Sequence, residues 1–199
     1  MSDLTRVGRV LRASTRDFTV GCQTLEEEIP SFGTLVRVER RGGLVYGLIT
    51  DVRVDDDPFV RQLIAAGSLT DEYVADQRQR RQVPVEVHAL VVGGRQDGGG
   101  IYHRLPPQPP ATLSWVELCG PDEIRQFGGG FGFLRTLLNA EDVPADELLA
   151  ASLRQMAAVQ DGPVETQEFL IAAGRELARL LSRDPGRLDG ILQRMRSEG

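Results

Sequence analysis

The sequence predicts an α+β protein: a small closed antiparallel β-barrel with a helical insertion, followed by a C-terminal helical region. Three observations predict it. Period-two alternation marks residues 7 to 54 and 83 to 119, a glycine-centred hairpin joins two of the alternating runs, and the apolar spacing becomes helical after Pro121. The barrel is expected over residues 1–123, with the insertion at about 58–81, and the helical region over 124–199.

Val7-Gly-Arg-Val-Leu11 is a short apolar run and Phe18-Thr-Val20 alternates. The acidic Glu26-Glu-Glu28, Pro30 and Gly33 then punctuate a loop. Arg40-Arg-Gly-Gly43 separates Leu35–Glu39 from Leu44–Val54, and glycine accepts the positive φ of a tight hairpin turn, so the two runs should pair antiparallel. Leu44–Val54 is long for a strand, and Gly47 within it suggests a bulge of the kind that curls a sheet. Asp55-Asp-Asp-Pro58 ends that strand. Helical spacing of Phe59, Leu63 and Ile64, with Tyr73 and Val74 further on, then gives the insertion.

Alternation returns over Val83–Val92, followed by a glycine-rich loop from Gly93 to Gly100 and brief strands at Ile101–Leu105 and Leu113–Cys119. Pro106-Pro-Gln-Pro-Pro110 cannot donate ladder hydrogen bonds at most of its positions and reads as a stiff connector. Asp122 and Glu123 open a short helix that Gly128-Gly-Gly130 breaks. Pro144 begins another, with Leu149, Leu153 and Met156 at helical spacing. A third helix over Glu165–Ser182 should bury Phe169, Leu170, Leu177, Leu180 and Leu181. A fourth, after Asp184-Pro-Gly186, carries Leu188, Ile191, Leu192 and Met195.

All 23 basic residues are Arg. Without lysine there is no phosphate-loop lysine, Schiff base or catalytic amine. The formal net charge of −6 is spread along the chain: residues 1–123 hold 14 Arg against 18 acidic groups, and residues 124–199 hold 9 against 11. Neither part has the basic footprint of a dedicated nucleic-acid binder. No window approaches the roughly 18 consecutive apolar residues of a membrane helix. Two widely spaced cysteines and an N-terminus without a secretory pattern lead to an expected cytoplasmic location.

Each possible chemistry lacks a part. Cys22, His88, His103 and Cys119 stand singly, not in the close pairs of a structural zinc site. Both histidines fall in expected strands without a nucleophile elbow. Asp55-Asp-Asp57 lacks the alternating oxygens and central glycine of a calcium loop. Gly128-Gly-Gly-Phe-Gly132 lacks the lysine of a phosphate loop and does not follow a strand, so a flexible hinge is expected there. Gln77-Arg-Gln-Arg-Arg-Gln82 is a basic cluster offset by Asp71, Glu72 and Asp76 on the same expected helix. No catalytic, cofactor-binding or metal-ligating residue is assigned, and no cofactor or small-molecule substrate is expected.

The opening Val7-Gly-Arg-Val10, the hairpin from Gly33-Thr-Leu-Val36 to Val45-Tyr-Gly-Leu-Ile-Thr-Asp-Val52, and the proline connector leading to Trp115-Val-Glu117 resemble the HAS barrel. That domain is the N-terminal barrel of HerA-type ATPases, related in fold to the N-terminal barrel of ATP synthase catalytic subunits. The resemblance spans roughly residues 5 to 127. In that family a motor domain with a phosphate loop follows the barrel. Here helices without lysine follow it, and no ATPase residue carries over. What the resemblance implies is the barrel's own role of aligning subunits around a ring and docking an associated nuclease. The expectation is therefore a non-catalytic assembly or partner-docking protein that associates with itself or with a protein partner. A nucleic-acid-binding barrel is the alternative, and an enzyme of unrecognised class the third reading.

Overall fold

A computed structural model describes residues 6–25, 29–54 and 82–196, together with Gln62 and Ala65. Apart from Gln62 and Ala65, the expected insertion lies outside the described residues, as do the Asp55–Asp57 run and most of the basic cluster at 77–82. The strands are β1 (Arg6–Ala13), β2 (Asp17–Leu25), β3 (Leu35–Arg40), β4 (Gly43–Val54), β5 (Gln82–Gln96), β6 (Ile101–Tyr102) and β7 (Trp115–Leu118). The helices are α1 (Pro121–Gly128), α2 (Gly132–Leu138), α3 (Ala145–Ala158), α4 (Pro163–Leu180) and α5 (Pro185–Arg196).

Pairing runs in the order β2-β1-β7-β3-β4-β5, all antiparallel, and β2 pairs again with β5. The sheet is thus a closed six-stranded barrel, and β6 is an additional strand on the end of β5. The hairpin forms where glycine allows it: Arg40 pairs with Gly43, and Gly42 takes a φ of 80° in the turn. The register of β4 against β5 shifts between Tyr46 and Gly47, the bulge expected at that glycine.

Alternation sorts the strand residues into two cores. Val36, Val38, Val45, Ile49, Val85, Val87, Ala89 and Val116 meet Val10, Phe18 and Val20 inside the barrel. Leu35, Leu44, Tyr46 and Leu48 point the opposite way and pack beneath Phe127, Phe133, Leu134, Leu149, Leu153 and Met156 of the helices. The outer wall of β3 and β4 is therefore buried too, which is why the first seven residues of β4 are all buried. Helix α3 lies between that wall and α4 and α5. Leu148, Leu149, Leu153, Met156 and Ala157 of α3 are all buried, as a helix covered around most of its circumference requires.

Several boundaries differ from the sequence reading. Strand β5 continues through Gly93 and Gly94, where a loop was expected, because Gly94 and Arg95 pair with β6. A side chain at Gly93 would come within 2.3 Å of the Tyr102 carbonyl, so glycine extends the strand here instead of ending it. Strand β6 is correspondingly shorter than Ile101–Leu105, and β7 begins at Trp115, not Leu113. Helix α2 was not anticipated: Phe133, Leu134 and Leu137 sit in a segment too short for a clear period, yet all three are buried.

Gly47 faces the barrel interior, and a Cβ there would lie 2.7 Å from two carbons of the Phe18 ring. Gly47→Val should therefore overpack the barrel and cost about 1–3 kcal/mol. Urea unfolding checks this: the midpoint should fall, and adding Phe18→Leu should recover part of the loss.

Candidate functional site

The two cores are joined by a polar cluster. Arg37 of β3 donates from Nη1 to Glu123 of α1 at 2.8 Å and from Nη2 to Glu117 of β7 at 3.1 Å. The Tyr46 hydroxyl of β4 donates to the other Glu123 oxygen at 2.6 Å. The Glu123 and Arg37 side chains are only 11% and 20% exposed, so these bonds are made largely out of water. Burial, reinforced by Glu123, pushes the Tyr46 hydroxyl and the Cys119 thiol well above their ordinary pKa. Burial works against the Arg37 charge, but Glu123 and Glu117 together outweigh it and hold the guanidinium protonated. The cluster clamps α1 to the barrel through Glu123.

His103 follows β6 and turns towards the helices. Its Nε2–H donates to the Phe127 carbonyl at 3.1 Å, and its ring packs edge-on against Phe127 and Phe133. Burial lowers its pKa, partly opposed by the Phe127 carbonyl. The glycine-rich Gly128–Gly132 segment closes around this ring. A Cβ at Gly132 would lie 2.9 Å from His103 Cβ, so the glycines permit close packing where a flexible hinge was expected.

The soft-ligand residues remain apart. Cys22 and Cys119 are free thiols. Among the described residues no group of three or more His, Cys, Asp and Glu side chains is arranged to hold a metal. His88 lies on β5 opposite Thr19 of β2, with Thr19 Oγ1 3.4 Å from Nδ1 and Glu86 3.0 Å from Nε2. Hydroxyl, imidazole and carboxylate thus stand in series, the order of an acyl-transfer triad. Both links are loose, however: Nε2 has no aligned hydrogen-bond acceptor despite the close carboxylate, and Thr19 is buried.

A different surface was missed by sequence reasoning. Trp115 at the start of β7 is 37% exposed, and the guanidinium carbons of Arg9 and Arg6 lie 3.9 and 4.6 Å from its ring centroid. The signal was present only in the register: Arg9 of β1 pairs with Trp115 of β7, two segments far apart in the chain. Leu113, immediately before β7, has a φ of 65°, uncommon for a residue with a side chain. It is held there by its N–H to the Val10 carbonyl at 2.8 Å and by Arg9 Nη1 to its own carbonyl at 2.7 Å.

No protein-family model matches the chain, and comparison with curated proteins finds no match. No helix among the described residues is long and apolar enough to cross a membrane.

Two outcomes follow from this geometry. Glu123→Ala leaves Arg37 and Tyr46 without their shared acceptor and should destabilise the fold by about 2–4 kcal/mol, at or below the range for a fully buried pair because Arg37 keeps some solvent. Glu123→Gln should cost less, and chemical denaturation compares the two. His103 releases its proton more readily in the folded chain than in the unfolded one. Its stabilising effect is therefore complete above about pH 6.5 and is lost as pH falls through the depressed folded value. The His103 ring resonance should titrate below that of a free histidine, and His103→Gln should flatten the stability profile in that window.

Proposed function

We propose that the chain is a non-catalytic assembly or partner-docking protein, its barrel serving for oligomerisation or for binding an ATPase- or nuclease-type protein. One observation carries this reading. The barrel interior is filled by apolar side chains and one barrel wall is taken by the chain's own helices, while the β1–β7 wall presents an exposed tryptophan and two exposed leucines. Large apolar side chains held at a surface mark interaction sites more often than isolated ones do. The likeness of the strand motifs to the HAS barrel supports the same reading, which places the chain in the cytoplasm with such partners.

A nucleic-acid-binding barrel is the second reading, favoured by Arg6 and Arg9 lying over Trp115. Sedimentation velocity across a dilution series, with affinity capture from native lysate and mass spectrometry, tests the first. The expected result is a mass above the monomer or stoichiometric retention of an ATPase- or nuclease-type protein. A monomer at every concentration that retains neither would end the proposal. A salt-sensitive mobility shift with DNA would move the assignment to the second reading.

A further inference from the structure

Resting on the docking reading above, we infer that the β1–β7 wall is a recognition site for an acidic, aliphatic-flanked segment of a partner protein, with Arg6 and Arg9 taking its carboxylates. Arg6 and Arg9 have no carboxylate partner among the described residues, whereas neighbouring Arg12 is paired with Glu86. A guanidinium resting on an aromatic face keeps its N–H donors in the ring-parallel plane; Arg9 uses Nη1 on the Leu113 carbonyl, and the remaining donors match a carboxylate in a fixed geometry. The tryptophan thus orients two cations that have no ion-pair partner among the described residues.

The apolar half of the site is equally specific. Leu113 is 66% exposed and Leu11 47% exposed, and the β1–β7 ladder brings both together just past Arg9, where the Leu113 N–H meets the carbonyl of Val10. Leu113 reaches its position only through the left-handed backbone that Arg9 and Val10 fasten, and strain of this kind concentrates at ligand clamps. An open groove of about 700 Å³ runs from Trp115 and Arg9 across Leu11 and Gly21 to Pro84. Arg6 and Arg9 line it at one end, and its one carboxylate, Glu86, is already paired with Arg12.

The geometry favours protein over nucleic acid. The flanking side chains are aliphatic, which suits leucine or isoleucine better than a base. A net charge of −6 opposes a long polyanion, whereas a short acidic segment engages only the local cations. Within a closed barrel the segment cannot add as a further strand, so recognition falls to side chains.

Trp115 is the only tryptophan, so its fluorescence reports occupancy directly. The full chain is titrated at low salt with three probes: a short end-blocked peptide having three glutamates between leucine and isoleucine, the same peptide with glutamines, and a thymidine oligonucleotide. We expect a saturable change with the acidic peptide alone, weakened by salt. The Arg6→Gln/Arg9→Gln double variant should weaken it at least about tenfold, the effect of losing one well-placed interfacial contact. Leu113→Ala should weaken it too, with circular dichroism unchanged in both variants. Response to the oligonucleotide alone, an equal response to the glutamine peptide, undiminished binding by the double variant, or no response at all each overturns the inference. If the double variant still assembles or retains its partner as the parent does, the docking reading stands and only this surface falls. If the parent does neither, the reading itself falls.

Discussion

Strand β4 is enclosed on both faces, and the rest of the architecture depends on that enclosure. Its inward residues, Val45 and Ile49, complete the barrel core, and its outward residues, Leu44, Tyr46 and Leu48, form the floor on which the helices rest. An antiparallel strand commonly faces water on one side; β4 has no such side over its first seven residues. The helices are consequently the second half of one continuous packing problem, and Tyr46 shows this at a single residue. Its ring is buried among the helix aromatics while its hydroxyl satisfies Glu123.

The polar groups at this junction are arranged so that burial is tolerable. A buried tyrosine hydroxyl, a carboxylate and a guanidinium would each be costly alone. Together they satisfy one another across β3, β4, β7 and α1, and so fix the height at which α1 sits on the barrel. His103 and the glycines around it do the same for the approach to α2. The helical region is positioned by directed bonds at one end and by shape at the other.

Much of this was legible in the sequence. The hairpin at Arg40–Gly43, the bulge at Gly47 and the apolar spacing of α3 each follow from local chemistry that tertiary context did not override. What was not legible depended on distant partners. Gly93 and Gly94 look like a loop until Tyr102 is seen to occupy the space beside them. Helix α2 is too short to show a period, and its burial comes from the helices around it. The Arg6–Arg9–Trp115 group exists only because β1 and β7 are neighbours, a fact that no local window contains.

Closure of the sheet has a consequence for the life of the chain in a crowded solution. Exposed strand edges invite other chains to add in register and are a common route to ordered aggregates. Here each barrel strand has a partner on both sides, and the one-sided β6 has only two residues. Among the described residues the barrel therefore offers little template for amyloid-type growth, which lets it display greasy side chains on its outer wall without a strand edge to seed fibres.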